Sequence, residues 1–436
     1  MRDHEPVHDH EGRRLTTKEA AELLGVKPET VYAYVSRGQL GSRRVPGGRG
    51  STFDATEVEA LARRNRRESG GSPASGGELS VRTRITLIES DRYYFRGVDA
   101  TALAARHSYE EIAEWLWTGR MRPGMTFTAP ETSAAVARRA VDSLPEHTSP
   151  TDRLRVAAIA AAAADPLRFD LSEDAVLGTA RILIPTLVAA LPRTRLNQPD
   201  EGPLARRLWT RLSARTPDEA SLRALDTALG LLVDHDLAAS TLAVRVAASA
   251  RANAYASVSA GLGVLEGPLH GAASGLAHRL LQDVLELGDA GPVIANELRA
   301  GRRIPGLGHR LYRGEDPRAR ALFDLLERIP RAETALAAAR DVVATTARHT
   351  PLHANVDLAL AVLTASSGML PTAGETIFAV ARTAGWVAHA LEEYGERPLR
   401  MRPSGLYVGA KPPQSLPLPL PLPLPEETAA EALPEV

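Results

Sequence analysis

The sequence contains no cysteine. Structural disulfides, thiolate metal sites and cysteine nucleophiles are therefore excluded for this chain of 436 residues. Aromatic residues make up only 4%, whereas alanine, leucine, valine and arginine are abundant, which predicts a mainly helical protein built from small side chains. No apolar run reaches the length of a membrane span, and the first residues are too polar for a signal peptide. The expected location is the cytoplasm.

Charge is balanced overall but unevenly distributed. The formal net charge is −1. Between Arg13 and Arg67, however, twelve lysines and arginines stand against six aspartates and glutamates. A basic segment on a mildly acidic body suggests that this segment alone meets a polyanion.

Residues 13–66 have the pattern of a winged helix-turn-helix domain. In LTTKEAAELLGV, Thr16 and Glu19 predict a capping box for a first helix, and Pro28 opens a second helix that leads into TVYAYVSRGQL. The glycine-rich basic turn before STFD predicts a two-stranded wing, and a third helix is predicted from Ala55 to Arg64. This stretch resembles the winged helix-turn-helix of the mercury-resistance-regulator and excisionase families.

The second helix and the wing are the candidate contacts to double-stranded DNA. In such domains the second helix enters the major groove, and arginines of the wing hold phosphates. The candidate DNA-binding residues are Lys27, Thr30, Tyr32, Arg37, Arg43, Arg44 and Arg49. A protein-docking module that has kept this fold is the alternative, because a fold alone does not fix a function.

The remaining segments around the body are predicted to be connections and tails. Residues 1–12 form a solvated tail, whose histidines are not expected to bind a metal because nothing orders them. Residues 67–80 are a flexible Gly/Ser linker. Residues 410–436 are a proline-rich tail of polyproline II character, either inert or a ligand for an aromatic groove. No metal and no permanently bound cofactor are predicted.

Residues 81–409 are predicted to form the main body. Two short alternating segments, VRTRITLIESD and RYYFRGVDA, predict a small β-hairpin, and helical periodicity dominates after them. The stretch GLGVLEG is not interpreted as a dinucleotide-binding loop, because its spacing is wrong and no strand precedes it.

Four side chains with catalytic chemistry lie where helical patterns break. They are His235 in VDHDLAAST, His270 in GPLHG, His309 in PGLGHRLY and Asp357 in NVDLAL. Each one alone is more typical of a structural residue. Glycines beside His270 and His309, however, remove side chains where a ligand could approach the backbone.

Taken together, these groups suit one kind of reaction. An imidazole with a pKa near neutrality can donate to a carbonyl oxygen that is becoming an enolate or alkoxide, and a carboxylate can remove a carbon-bound proton. Arginines such as Arg318, Arg382 and Arg402 can clamp a dianionic acid. The set is compatible with carbon–carbon bond formation through an enol, although spacing alone does not decide it.

Six motifs now follow one another in a recognisable order. The body resembles the citrate synthase family over about 330 residues, from YYFRGVDATALAARHSYEEIAEWLW through DHDLAAST, GPLHG, PGLGHRLYRGEDPRA and NVD to RPSGLYVG. This resemblance implies a two-domain helical fold, with a small domain at roughly 271–363 that closes over the substrates. It also implies a homodimer.

The resemblance assigns a role to each candidate. His270 would polarise the thioester carbonyl of acetyl-CoA, Asp357 would take a methyl proton, and His309 would donate to the ketone oxygen of oxaloacetate. Oxaloacetate would be bound by His235, Arg318 and Arg382, with Arg402 reaching in from the partner subunit. The coenzyme would lie along the loop of Ile304, Pro305, Gly306, Leu307 and Gly308.

Three departures from the family pattern leave the substrate open. Ala272-Ala273-Ser274 replaces a run that commonly ends in asparagine, Leu358-Ala359 replaces an aromatic residue, and Ser404 replaces an arginine. A smaller residue beside the base could admit propionyl-CoA, so a 2-methylcitrate synthase is one alternative. The other is a non-catalytic regulator that senses coenzyme A esters or dicarboxylates.

Overall fold

The computed structural model describes residues 14–24, 26–36, 40–44, 51–59, 61, 81–195, 201–267, 270–403 and 408–409. The chain divides into two compact units, residues 1–81 and residues 82–436. The predicted tails and the whole of the predicted linker lie outside the described residues. No helix among those described has both the length and the apolarity that a bilayer span requires.

The first unit contains three strands, β1 (Arg14–Thr16), β2 (Ser42–Arg44) and β3 (Ser51–Asp54), and two helices, α1 (Thr17–Leu24) and α2 (Pro28–Ser36). Residues 55–59 are also helical and are labelled α3. The predicted capping box is present, because the Glu19 N–H donates to Thr16 Oγ1 and the Thr16 N–H donates to Glu19 Oε2.

The wing of this unit is larger than the sequence predicted. β2 and β3 pair antiparallel, as expected, but β1 pairs with the other edge of β3 and gives the order β1-β3-β2. The strand β1 is only three residues long and carries no clear alternation, which is why the sequence did not reveal it. A small apolar core that includes Leu15, Val31 and Phe53 joins the sheet to the helices.

The second unit begins with a three-stranded antiparallel sheet, β4 (Thr86–Glu89), β5 (Arg92–Phe95) and β6 (Val98–Asp99). The predicted hairpin is therefore confirmed, with one short strand added. Tight turns at Ser90–Asp91 and Arg96–Gly97 use positive φ angles and make both reversals possible.

The rest of the second unit is helical, as predicted. Its helices are α4 (Ala100–Ala104), α5 (Tyr109–Thr118), α6 (Glu131–Asp142), α7 (Pro150–Ala164), α8 (Glu173–Ala190), α9 (Leu204–Leu212), α10 (Glu219–Leu232), α11 (Ala239–Ser249), α12 (Ala254–Leu265), α13 (Ala273–Leu287), α14 (Ala290–Arg299), α15 (Pro317–Leu326), α16 (Glu333–Ala347), α17 (Val356–Ser366) and α18 (Ala373–Tyr394), with a 3-10 turn at Pro330–Ala332.

The long helix α18 lies at the centre of this body. Seventeen of its 22 residues are buried, and it packs on α5, α8, α11, α12, α13 and other helices. Small residues on these helices, such as Ala and Gly, let the backbones approach closely: a Cβ on Gly261 would lie 2.8 Å from the Trp386 ring. The alanine-rich composition is thus used to pack helices around α18.

Candidate functional site

His309 lies in the loop between α14 and α15. The backbone N–H of Leu311 donates to its Nδ1 at 3.1 Å. A ring nitrogen that accepts carries no proton, so the proton of the neutral imidazole is on Nε2. Burial, assisted by Arg318, lowers the pKa of His309 to about 4. At neutral pH His309 is therefore an uncharged ring whose Nε2–H can donate to an oxygen.

His235 and Tyr312 stand against His309. The rings of His235 and His309 are 5.1 Å apart, and those of His309 and Tyr312 are 4.8 Å apart. The Nε2 of His235 lies 2.7 Å from the Tyr312 hydroxyl. Burial, then the positive charges of Arg318 and Arg382, hold the pKa of His235 well below its usual value. Two predicted histidines thus share one polar cluster.

Asp316 and Arg318 form a buried, two-pronged ion pair at the start of α15. Arg318 donates through Nε at 3.0 Å and Nη2 at 2.8 Å to the two carboxylate oxygens of Asp316. Asp316 caps this helix, which starts at Pro317, and its Oδ2 also accepts from the N–H of Val356 at 3.1 Å. One carboxylate therefore ties the start of α15 to the start of α17.

Asp357 is the second residue of α17. Asn355 caps that helix and accepts from the Asp357 N–H at 2.9 Å. Burial raises the pKa of the Asp357 carboxyl to about 6, with Arg318 opposing the shift and Asp316 adding to it. A carboxylate with that pKa is ionised at neutral pH, yet basic enough to accept a proton from carbon in a polarised substrate.

His270 follows α12, with its Nε2 2.7 Å from the Ser240 hydroxyl and its ring 5.9 Å from that of Phe378. Ser240 is fully buried on α11. Burial, then the positive charge of Arg382, lowers the pKa of His270 to about 4. His270 is accordingly neutral at pH 7, and its Nδ1 is the nitrogen left for a ligand.

Arg382 lies on α18, with 1% of its surface exposed, and its guanidinium stands over the ring of Phe378 at 4.5 Å. Its Nε donates to the Leu232 carbonyl at 2.9 Å. Within the described residues no carboxylate oxygen is recorded within 4 Å of this guanidinium, although Asp234 acts on it from further away. A buried guanidinium of this kind favours the approach of an anion.

The predicted coenzyme loop is fastened to the segment before α17. Leu307 bridges to Ala354, the Gly308 N–H donates to the His353 carbonyl at 2.8 Å, and the Asn355 N–H donates to the Gly306 carbonyl at 2.9 Å. Within this loop Ile304 and Leu307 are buried, whereas Pro305 is partly exposed. The loop is therefore held in place by backbone hydrogen bonds next to Asp357.

Contacts within the protein explain two glycines of this region, and the sequence did not reveal these contacts. Gly306 has φ +82°, and a Cβ there would lie 2.9 Å from Leu358 Cβ. A Cβ on Gly271 would lie 2.3 Å from the Leu265 carbonyl. Close contact with the protein itself, rather than with a coenzyme, already requires glycine at both positions.

The departure at Leu358-Ala359 also lies inside the protein. Both side chains are fully buried in the core, and Leu358 packs against Gly306. These smaller residues of α17 are used for packing within the protein, where Leu358 contacts the loop at Gly306. The idea that they enlarge the space beside the base has no support in this arrangement.

Most of the predicted site residues are brought together, but Arg402 is not among them. Arg402 is exposed in the segment after α18, where its N–H donates to the Leu399 carbonyl. Sequence reasoning assigned no role to Ser240, Tyr312, Asp316 or Phe378. The Asp316–Pro317 pair is a helix-start signal, and Tyr312 lies three residues after His309 in the same motif. Nothing in the sequence shows that Ser240 and Phe378 lie near the histidines.

The predicted DNA-binding residues are only partly described. Lys27, just before α2, and Tyr32, on α2, are exposed. Thr30 is partly exposed, and Arg43 on β2 is exposed. Arg44 belongs to β2, but its side chain is outside the described residues, as are Arg37 and Arg49. Tyr32 stacks edge-on against Phe53, with ring centroids 6.4 Å apart.

Family models match both parts of the chain. The model for the citrate synthase C-terminal domain covers residues 76–404, and a helix-turn-helix domain model covers residues 14–66.

Individual relatives agree with the larger match. Citrate synthase 2 of Bacillus subtilis is 29% identical over 78% of this chain and 97% of its own length. A 2-methylcitrate synthase of Mycobacterium tuberculosis is 30% identical over 72% of this chain and 84% of its own length. The citrate synthase of Thermoplasma acidophilum, solved with carboxymethyl coenzyme A and oxaloacetate, has the same fold, with a TM-score of 0.63, 23% identity and coverage of 77% of this chain and 96% of that one.

Proposed function

This chain belongs to the citrate synthase family, and we propose that it condenses acetyl-CoA with oxaloacetate and hydrolyses the product to citrate and coenzyme A. The protein is an enzyme of the citrate synthase type. The observation that carries the proposed reaction is the approach of neutral His309, neutral His270 and a carboxylate of raised pKa to two buried arginines.

The first step is formation of an enol. Asp357 takes a proton from the methyl carbon of acetyl-CoA while His270 donates to the thioester oxygen through Nδ1. In this scheme the Ser240 hydroxyl donates to Nε2 of His270, which leaves the ring proton on Nδ1. A neutral imidazole suits this step, because it is a weak acid that keeps its proton at neutral pH and can still donate a hydrogen bond to the oxygen of the forming enol.

The second step joins the two substrates. The enol carbon attacks the ketone carbon of oxaloacetate, and the enol hydroxyl returns its proton to His270 as the thioester carbonyl re-forms. His309 donates its Nε2 proton to the ketone oxygen, which becomes the hydroxyl of citryl-CoA, and the proton that Asp357 took from the methyl carbon offsets this loss. Water then adds to the thioester, and coenzyme A leaves as the thiol. His235, Arg318 and Arg382 hold the oxaloacetate carboxylates in this scheme. The fork of Arg382 has no carboxylate within 4 Å among the described residues, whereas Arg318, whose Nε and Nη2 donate to Asp316, offers its Nη1.

Several further parts of the proposal rest on the family resemblance. The coenzyme lies along Ile304–Gly308, Arg402 of the partner subunit completes the oxaloacetate site of a homodimer, and a small domain at roughly 271–363 closes over both substrates. Closure excludes water until the thioester is hydrolysed. The protein acts in the cytoplasm.

Release of the coenzyme A thiol tests the function directly. We expect oxaloacetate-dependent thiol release, with a higher kcat/KM for acetyl-CoA than for propionyl-CoA. Omitting oxaloacetate is the control for simple thioester hydrolysis. A folded protein that binds oxaloacetate and releases no thiol with either ester would be a sensor rather than an enzyme.

A preference for propionyl-CoA in the same assay would make the protein a 2-methylcitrate synthase. The similarity to the mycobacterial 2-methylcitrate synthase supports this second candidate function. The ratio of the two kcat/KM values decides between them.

The helix-turn-helix unit is proposed to bind double-stranded DNA through α2 and the β2–β3 wing. We expect the affinity for DNA of the promoter region upstream of its own coding sequence to fall by roughly tenfold or more between 50 and 200 mM salt, because phosphate contacts release counterions. Arg43→Ala should reduce the salt slope by about 1. Arg302→Ala is the matched control, since Arg302 is an exposed arginine of the other unit paired with Glu297. Affinity that is independent of salt would contradict DNA binding by this surface.

A further inference from the structure

Asp234, immediately before His235, is fully buried and has charged and polar neighbours from two distant segments. The Thr86 hydroxyl of β4 donates to its Oδ2 at 2.5 Å. The Nε2 of His389 on α18 lies 3.2 Å from its Oδ1. Asp234 and His389 are fully buried and Thr86 is buried except for 9% of its surface. A buried carboxylate is costly unless it is paired or hydrogen-bonded.

The protonation state of His389 follows from its other neighbour. Nη1 of Arg245 lies 2.8 Å from Nδ1 of His389, and an arginine can only donate. His389 Nδ1 is therefore an acceptor, the ring is neutral, and its proton is on Nε2, the nitrogen that faces Asp234.

The charge of Arg245 is already matched by two glutamates. Its Nε lies 3.2 Å from Glu393 and its Nη1 lies 2.8 Å from Glu392. Arg245 therefore does not neutralise Asp234, whose negative charge acts on Arg382. Burial opposes ionisation of Asp234, but the nearby His389 N–H, the positive charge of Arg382 and the Thr86 hydrogen bond outweigh it, so the pKa of Asp234 is lowered.

The segment 232–235 is clamped along one face of α18. Arg382 donates to the Leu232 carbonyl, a Cβ on Gly385 would lie 2.2 Å from the Val233 carbonyl, and His389 faces Asp234. Residues 382, 385 and 389 are spaced three and four apart, so they lie on the same side of the helix. The same short segment ends in His235, whose ring meets His309.

We propose that Asp234 is a positioning residue for the dicarboxylate substrate. Hydrogen-bonded by Thr86 and placed beside neutral His389, it holds the backbone that carries His235 and supplies the negative charge that keeps the Arg382 guanidinium in place without forming a direct pair. A direct pair would occupy the guanidinium, whereas a carboxylate one step away leaves it free for the substrate's carboxylate. This inference rests on the proposed function, because it concerns the oxaloacetate half of that site.

The test compares Asp234→Asn with wild type in steady-state kinetics and in direct calorimetric binding of oxaloacetate alone. Asparagine keeps the size and an acceptor for Thr86 but removes the charge. We expect the oxaloacetate KM and Kd to rise roughly tenfold or more, while the acetyl-CoA KM stays within about twofold. Glu110→Gln is the matched control, because Glu110 is another fully buried carboxylate, bonded to the N–H groups of Phe127 and Leu204.

A second pair of variants keeps the inference testable if Asp234→Asn does not fold. Thr86→Val removes one hydrogen bond and should raise the oxaloacetate KM by roughly threefold, and Thr86→Ser should restore it. Unchanged oxaloacetate affinity in an active Asp234→Asn protein, or equal rises in both KM values, would overturn the positioning role alone. A wild-type protein that binds oxaloacetate without turnover would instead overturn the proposed reaction, and the binding comparison would still decide the role of Asp234.

Discussion

Asp357→Asn should lower kcat by about 10³-fold, because the amide cannot take the methyl proton. The same substitution should stabilise the folded protein at pH 7. In the folded state the pKa of Asp357 is raised from 3.8 to about 6, so ionising this carboxylate costs more there than in the unfolded chain. The cost is on the order of 3 kcal/mol at pH 7.

The sign of this effect can be checked against pH. Between pH 3.8 and about 6 the folded protein holds a proton at Asp357 that the unfolded chain has lost, so stability falls as the pH rises through this window. The stability gained by Asp357→Asn should therefore be largest at pH 7 and fade towards pH 4. Urea unfolding of both proteins at several pH values measures it.

Turnover supplies the second readout for Asp357. The wild-type kcat/KM should fall below about pH 6 as the base takes up a proton, while His270 and His309, whose pKa values are about 4, stay neutral over most of that limb. Near-normal turnover in the asparagine variant would rule out Asp357 as the base. A variant that is both inactive and less stable at pH 7 would contradict the burial argument.

Asp316→Asn should cost about 3–5 kcal/mol of folding free energy, because it leaves the guanidinium of Arg318 buried without its partner. The loss extends beyond one ion pair, since Asp316 also caps α15 and accepts from the N–H of Val356 at the start of α17. Activity should fall with stability, because Asp357 follows Val356 directly. Thermal unfolding followed by circular dichroism gives the change in Tm.

The neighbouring residue provides a control for this second prediction. Glu315 pairs with Arg320 at the surface, where 41% and 62% of the two side chains are exposed. Such exposed pairs contribute about 0–1 kcal/mol, so Glu315→Gln should leave the Tm nearly unchanged. Equal losses of Tm from the two substitutions would show that the buried Asp316–Arg318 pair contributes no more to stability than the exposed Glu315–Arg320 pair.

The helical body, the small sheet at its start and the helix-turn-helix unit follow from local signals. The helix with Asp357 in its first turn is signalled by an asparagine cap and an apolar run, and α15 by an aspartate before a proline. The strand β1 gave no such signal, because three residues pair with β3 from a position far away in the sequence.

The candidate site divides in the same way. The sequence could indicate His270, His309 and Asp357, because they stand in motifs that break helical patterns, and the order of those motifs identifies the family. It could not show that Ser240 meets His270 or that Phe378 lies between His270 and Arg382, since Ser240 and Phe378 reach His270 from helices that are distant from it along the chain. It also did not show the close internal neighbours of Gly271 and Gly306, which are brought near only by folding.

By itself, the sequence determined which chemical groups are available and which local structures carry them: no thiol, three candidate histidines, one candidate base and the helix starts around them. The tertiary structure alone decided their states. Burial lowers the pKa of His270 and His309 and raises that of Asp357. Folding also brings Asp234 next to His389, which lies 155 positions further along the chain. The physical reason is that desolvation and charge pairing depend on distance in space, which the spacing of residues along a chain does not fix.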